Sequence, residues 1–151
     1  AQIYYGDELA RPLRIEGADG DANLRSFMNW DDLAGGGTTI EVLRHWRKLG
    51  RFRRDHPAVG AGEHRTLQES PYIFSRTLAR EGTTDRVLVA MDQGEGEKTI
   101  PVFGLFPQGA ELVDAYSGAT ATVADGSVRL TTPSGLVLLS TPSRNPAPAG
   151  P

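Results

Sequence analysis

The feature that most constrains this 151-residue chain is a change of hydrophobic period near Gly62. Before it, Val42, Leu43, Trp46, Leu49 and Phe52 recur at helical spacing behind a Thr38-x-x-Glu41 pair with capping-box spacing, which predicts a helix from Thr38 to about Arg54. His56-Pro57 ends that helix, because the residue before a proline is pushed out of the α region. After Gly62 come short β-prone runs: Tyr72 to Leu78, Arg86 to Met91, Thr99 to Leu105, Glu111 to Asp114, Thr120 to Val123, Ser127 to Thr131 and Gly135 to Ser140. Short strands at that spacing predict an antiparallel sandwich or barrel. Asp125-Gly126 between two of the runs is a two-residue hairpin signal, and Gly94 to Glu97 reads as a longer polar turn.

The front of the chain is less regular. Ile3, Tyr4 and Tyr5 form a short apolar run stopped by Gly6, which predicts a buried strand entering a loop. From Gly6 to Gly37 neither period is sustained, and loops of that length are usually functional or disordered. The first residues hold no initiator Met, basic leader or long apolar stretch, so the start reads as internal. One strand and one amphipathic helix cannot make a domain, so the helix needs a partner beyond these elements. The end of the chain, residues 142–151, is rich in proline, has no period and is expected to be disordered.

Composition narrows the function classes. Hydrophobic residues at 38% and charged residues at 23%, with 18 Gly and 10 Pro, describe a turn-rich globular protein. A net charge of −3 gives no overall field for a polyanion, so no nucleic-acid partner is expected, and no membrane partner either. Arg44, Arg47, Lys48, Arg51, Arg53 and Arg54 make the helix basic, which reads as a solvated face offsetting the helix dipole. The absence of Cys removes disulfides, thiol nucleophiles and cysteine metal sites. His45, His56 and His64 lie at spacings that form no metal motif, and no Ser sits in a nucleophile-elbow context. Asp19-x-Asp21-x-Asn23 imitates the opening of a calcium loop, but Leu24 stands where the turn requires Gly and Trp30 where the bidentate Glu belongs. No metal site is expected.

Several phrases carry a family resemblance. Ile3-Tyr4-Tyr5-Gly6-Asp7-Glu8-Leu9, then Asp21-Ala22-Asn23-Leu24-Arg25 and Met28-Asn29-Trp30-Asp31, then Arg54-Asp55-His56-Pro57-Ala58 at the helix end, follow one another in order. Together they resemble the end of the eighth barrel strand, the following loop and the eighth helix of α-amylase-family glycoside hydrolases. Tyr72 to Arg76, Val87 to Asp92, Leu112 to Gly118 and Gly135 to Leu139 look like strands of that family's domain C. The resemblance spans about residues 2 to 140. It implies a mainly β chain with a (β/α)8-barrel remnant: the last βα unit of a TIM barrel over 1–60, an antiparallel Greek-key β-sandwich over 61–141, and the tail.

The same resemblance implies retaining hydrolysis of α-glucosidic bonds in starch or maltooligosaccharides, with transglycosylation equally compatible. The family's catalytic carboxylates lie on the fourth, fifth and seventh barrel strands, upstream of this segment, so no catalytic residue is expected here and the chain alone is expected to be inactive. Asp7 and Glu8 are the nearest imitation of a catalytic pair, but neighbours on a strand point to opposite faces, and a structural hydrogen-bonding role is expected. Asp21 and Arg25 are the candidate substrate-binding residues, since a carboxylate and a guanidinium grip sugar hydroxyls through charge-assisted hydrogen bonds. A mutual salt bridge that orders the loop is the alternative, and both stand open. Trp30 suits either stacking on a sugar or packing in the barrel wall. The implied partners are an α-glucan and the remainder of the barrel. No cofactor is implied in this chain, calcium belonging to the missing part of the parent, and a secreted or periplasmic location is favoured. The alternative function is a non-catalytic carbohydrate-binding or structural module, for which Tyr72, Phe74, Phe103, Phe106 and Tyr116 supply rings.

Overall fold

The computed structural model describes residues 2–142. The expected tail therefore lies, from Ser143 onward, outside the described residues. The chain divides into two compact units, Ala1–Gly50 and Arg51–Pro151.

In the first unit, two 3-10 turns, Asp7–Leu9 and Gly20–Arg25, precede the short helix α1 (Asp32–Gly35) and the long helix α2 (Thr38–Asp55). Helix α2 occupies the predicted span, and the apolar positions Val42, Leu43, Trp46 and Leu49 along it are half-buried. His56 then takes an extended conformation, φ −124° and ψ 92°, as its neighbour Pro57 requires. The strand expected at Ile3 to Tyr5 is not formed, and all three residues are exposed. A strand exists only through its ladder, and residues 2–50 include no strand to pair with it.

The second unit is mainly β. After helix α3 (Pro57–Ala61) come β1 (Glu63–Glu69), β2 (Tyr72–Arg80), β3 (Thr83–Ala90), β4 (Gly96–Pro101), β5 (Glu111–Asp114), β6 (Thr120–Thr122), β7 (Ser127–Thr132) and β8 (Val137–Ser140). Six strands form one antiparallel sheet in the order β1-β2-β3-β8-β5-β6, and β4 pairs with β7 in a second. Ile73, Leu88, Ala90 and Leu139 of the first sheet meet Ile100, Val128 and Leu130 of the second in one core, which makes the unit a β-sandwich. Strands β2 to β8 match the predicted runs to within a few residues, while β1 was not foreseen. Its residues alternate poorly in polarity and are mostly exposed, so it is a strand because β2 offers it a ladder. Between α3 and β1, a Cβ at Gly62 would lie 2.7 Å from the Ala58 carbonyl oxygen and 2.9 Å from the Thr77 backbone, so only glycine fits.

Local signals and tertiary use diverge at Asp125-Gly126. Both residues have positive φ, 49° and 72°, and Ala124 and Ser127 exchange backbone hydrogen bonds of 2.8 and 2.9 Å across the turn. The predicted tight turn is present, yet β6 and β7 on its two sides belong to different sheets.

Polar anchors hold the sandwich at three points. The fully buried Asp114 carboxylate accepts hydrogen bonds from the N–H groups of Tyr116 (3.1 Å), Ser117 (3.1 Å) and Leu138 (2.7 Å) and from the Ser117 hydroxyl (2.5 Å). It thereby orders the turn after β5 and ties it to β8, the outcome expected when a buried charge has its lone pairs occupied. Buried Lys98 donates to Gly94 O, Thr132 Oγ1 and Ser134 O. On β3, Asp85 takes the Ala58 N–H at 2.8 Å and faces His56 Nδ1 at 2.9 Å, which fixes helix α3 to the sheet.

Candidate functional site

The candidate site is a cleft of about 510 Å³ in the first unit, lined among others by Tyr4, Asp7, Leu13, Asp21, Leu24 and Arg25. Its frame depends on Arg11, which is only 5% exposed. The guanidinium donates through Nε to Tyr5 O (3.0 Å), through Nη1 to Ser26 O (3.1 Å) and Ser26 Oγ, and through Nη2 to Leu24 O (3.0 Å). It also lies 4.1 Å from the centroid of the Tyr5 ring, within cation–π range. The Tyr5 hydroxyl donates to Ser26 O at 3.0 Å, and the Ser26 hydroxyl to Pro12 O at 2.8 Å. One buried cation thus gathers the backbone oxygens of Tyr5, Leu24 and Ser26. Gly6 is required beside it: its φ is 87°, and a Cβ there would stand 2.6 Å from Arg11 Cδ and Nε.

Asp7 and Glu8 take the structural role expected of them. Asp7 Oδ2 accepts the Tyr4 N–H at 2.8 Å and Glu8 Oε2 accepts the Gly6 N–H at 3.1 Å, so both carboxylates brace the turn that opens the cleft. Asn23 braces the far side, with Oδ1 accepting from Ile15 N (3.0 Å) and Nδ2 donating to Ala18 O (3.1 Å). That use of Asn23 occupies an oxygen that the calcium-loop pattern would need. Among the described residues no three His, Cys, Asp or Glu side chains are grouped to hold a metal ion.

Asp21 and Arg25 are brought to the same cleft, both exposed, and among the described residues they form no ion pair with each other. The cause is local geometry. On an α-helix residues four apart share a face, but these two stand on a 3-10 turn, where three residues complete a revolution and residues four apart diverge by about 120°. A carboxylate acceptor and a guanidinium fork are therefore both left with free hydrogen-bonding capacity toward the cleft.

The remaining candidates fall elsewhere. Trp30, 62% exposed, does not line the cleft, nor does Phe27. The basic residues of α2 are all exposed, in keeping with a solvated face. No helix among the described residues is long and apolar enough to cross a membrane. Arg11 was not singled out by sequence reasoning. Its partners are carbonyl oxygens and a hydroxyl up to 15 residues away, and nothing in the phrase Arg11-Pro12 announces them.

No family model matches the chain. Over 89 residues, 58% of its length, the chain is 43% identical to a periplasmic α-amylase of Escherichia coli strain K12, and the match spans 12% of that protein. Among solved structures, an Anoxybacillus α-amylase superposes with a TM-score of 0.61 at 22% identity, over 93% of this chain and 29% of the other. AmyP in complex with maltose gives 0.63 at 19% identity over 95% and 32%. A variant of AmyP with maltotriose gives 0.61 at 19% over 93% and 31%. The chain thus spans a small part of each of these proteins, and the structural matches establish a shared fold.

Proposed function

From the premise that the chain resembles the C-terminal portion of α-amylase-family glycoside hydrolases, we propose that it completes the sugar-binding end of such an enzyme. In the parent polypeptide, residues up to about 60 close the (β/α)8 barrel, and the sandwich from about 61 to 141 is its domain C. The parent hydrolyses α-glucosidic bonds in starch or maltooligosaccharides with retention, or transfers the glycosyl group to another sugar, and its catalytic carboxylates lie upstream of this chain. A secreted or periplasmic location fits a polymer substrate, and the periplasmic E. coli relative supports it.

The observation that carries this reading is the pairing of Asp21 and Arg25 on one cleft with no ion pair between them. Had they been bonded to each other, neither would be available to a ligand. Arranged as they are, Asp21 accepts from vicinal sugar hydroxyls and Arg25 donates to hydroxyl oxygens, charge-assisted bonds of the stronger kind. Arg11 acts as a positioning residue, since it holds the Leu24 carbonyl next to Arg25. The remainder of the barrel would supply the ladder that Ile3 to Tyr5 lacks.

Release of reducing sugar from soluble starch tests the reading, with the 151-residue chain compared with a polypeptide carrying its natural upstream sequence. Activity is expected in the longer polypeptide alone. There Asp21→Asn and Arg25→Ala should each raise KM or lower kcat/KM about tenfold, the size of one charge-assisted hydrogen bond. Starch hydrolysis by the short chain would refute the placement of the catalytic groups, and unchanged kinetics in both variants would refute the role of the pair.

A further inference from the structure

A second cleft, about 400 Å³, lies wholly in the sandwich unit and is lined by Arg65, Leu67, Ser75, Arg86, Phe103 and Leu105 among others. Its position follows from the strand register. Ser75 pairs across the sheet with Arg65 on one side and Leu88 on the other, and Thr77 pairs with Arg86. Residues directly opposite share a face, and residues two apart along a strand share it as well. Leu88 is in the core, so Arg65, Ser75 and Arg86 stand on the core-facing side of the six-stranded sheet. Where Ile73, Leu88 and Ala90 are met by the second sheet, that side is apolar; beyond them the same side carries two arginines.

Arg65 on the edge strand β1 has a conformational explanation, because inward charges on edge strands discourage edge-to-edge pairing. Arg86 does not share it, since β3 lies between β2 and β8. Neither arginine forms an ion pair among the described residues, and no carboxylate lines the cleft. Phe103 also lines the cleft, 47% exposed and on a backbone with φ of 49°, a conformation a bulky residue rarely adopts. Strained backbone presenting an exposed aromatic side chain gathers at ligand sites. The opposite face of the sheet, bearing Tyr72, Phe74 and Arg76, is where helix α3 lies, with Arg76 Nε donating to Ala58 O. The cleft therefore opens on the side away from α3.

We propose that this cleft is a second glucan-binding site, taking a short α-glucan segment with one glucose ring against Phe103 and its hydroxyl oxygens accepting from Arg65 and Arg86. The choice of ligand rests on the α-glucan reading above. The apolar C–H face of a glucose ring covers an aromatic face, while the planar guanidinium fork meets neighbouring hydroxyl oxygens two at a time. The volume lies within the range of small-ligand sites.

Native electrophoresis of the 151-residue chain through gels with and without soluble starch, together with calorimetric titration with maltoheptaose, tests the site. Starch is expected to retard the chain. Phe103→Gly should weaken maltoheptaose binding about tenfold, and Arg86→Gln severalfold. Arg54→Gln, on the exposed face of α2 and in neither cleft, should leave retardation unchanged. Phe103→Gly suits the test because glycine relaxes the local backbone, so its loss of binding does not come from unfolding; circular dichroism verifies this. Retardation equal in wild type and Phe103→Gly, or none at all, would overturn the site. Displacement by inorganic phosphate but not by maltoheptaose would make it an anion site and also overturn the glucan assignment. Starch hydrolysis by the longer polypeptide reads the parent function separately. Hydrolysis without retardation ends this proposal alone, and retardation through Phe103 without hydrolysis ends the enzyme reading alone.

Discussion

The two units achieve order by different means. In residues 51–142 seventeen buried hydrophobic side chains, most of them in one cluster, hold two sheets together. In residues 2–50 Leu9 is the single buried hydrophobic among the described residues, whereas Tyr4, Tyr5, Leu13, Leu24, Phe27 and Trp30 are exposed. What orders that unit is a web of hydrogen bonds centred on Arg11. Hydrophobic burial stabilises in proportion to area, while a hydrogen bond exchanged with water contributes only about 1 kcal/mol net. The sandwich has its own reason to fold. The first unit has the geometry of a site and the surface of something that expects a neighbour.

Substitutions can sharpen or break this contrast. Leu139→Ala, which empties a fully buried position on a central strand, should cost about 2–5 kcal/mol in chemical denaturation. A loss below about 1 kcal/mol would mean the sandwich is not organised by its core. Asp114→Ala strands four donors in the interior and should cost about 3 kcal/mol, with Asp114→Asn recovering part of it by keeping one acceptor oxygen. Full recovery by Asn would show that the charge itself contributes nothing. Arg11→Ala should loosen residues 4–26 by about 1–3 kcal/mol of local opening, read as faster hydrogen exchange there with β2 and β3 unchanged. Exchange rising equally in both units would dissolve the distinction between them. The smallest effect is expected from Phe103→Gly, where relief of backbone strain exceeds the added unfolded-chain entropy and stability rises by about 1 kcal/mol. A drop in melting temperature would show that the Phe103 ring packs more than its exposure implies.

Legibility in the sequence followed the same division. Helix α2 and the strands of the core could be read because their apolar pattern matches the surface they bury, as Val128 and Leu130 alternate with exposed Arg129 and Thr131 along β7. Strand β1 was illegible, because Glu63, His64 and Arg65 carry no burial signal and the strand is specified by its neighbour. Ile3 to Tyr5 erred in the opposite direction: the residues favour a strand, but pairing is a property of two segments and only one is here. At the candidate site, a family phrase pointed to Asp21 and Arg25, which line one cleft, whereas the absence of an ion pair between them depends on a 3-10 turn that no period betrayed. Arg11 stayed hidden because a guanidinium bound to backbone oxygens leaves no side-chain pattern to find.

The order of strands also bears on biosynthesis. β8, the last strand among the described residues, sits between β3 and β5 near the middle of the six-stranded sheet. A chain emerging from the ribosome amino end first can form the β1-β2-β3 meander early, but Leu88 to Ala90 then present an open edge until Val137 to Leu139 arrive. Some fifty residues of synthesis separate the two, an interval in which that edge is the most exposed to wrong partners. Closure of this sheet therefore waits on Val137 to Leu139, and until they pair the Leu88 to Ala90 edge is held by nothing but its own meander.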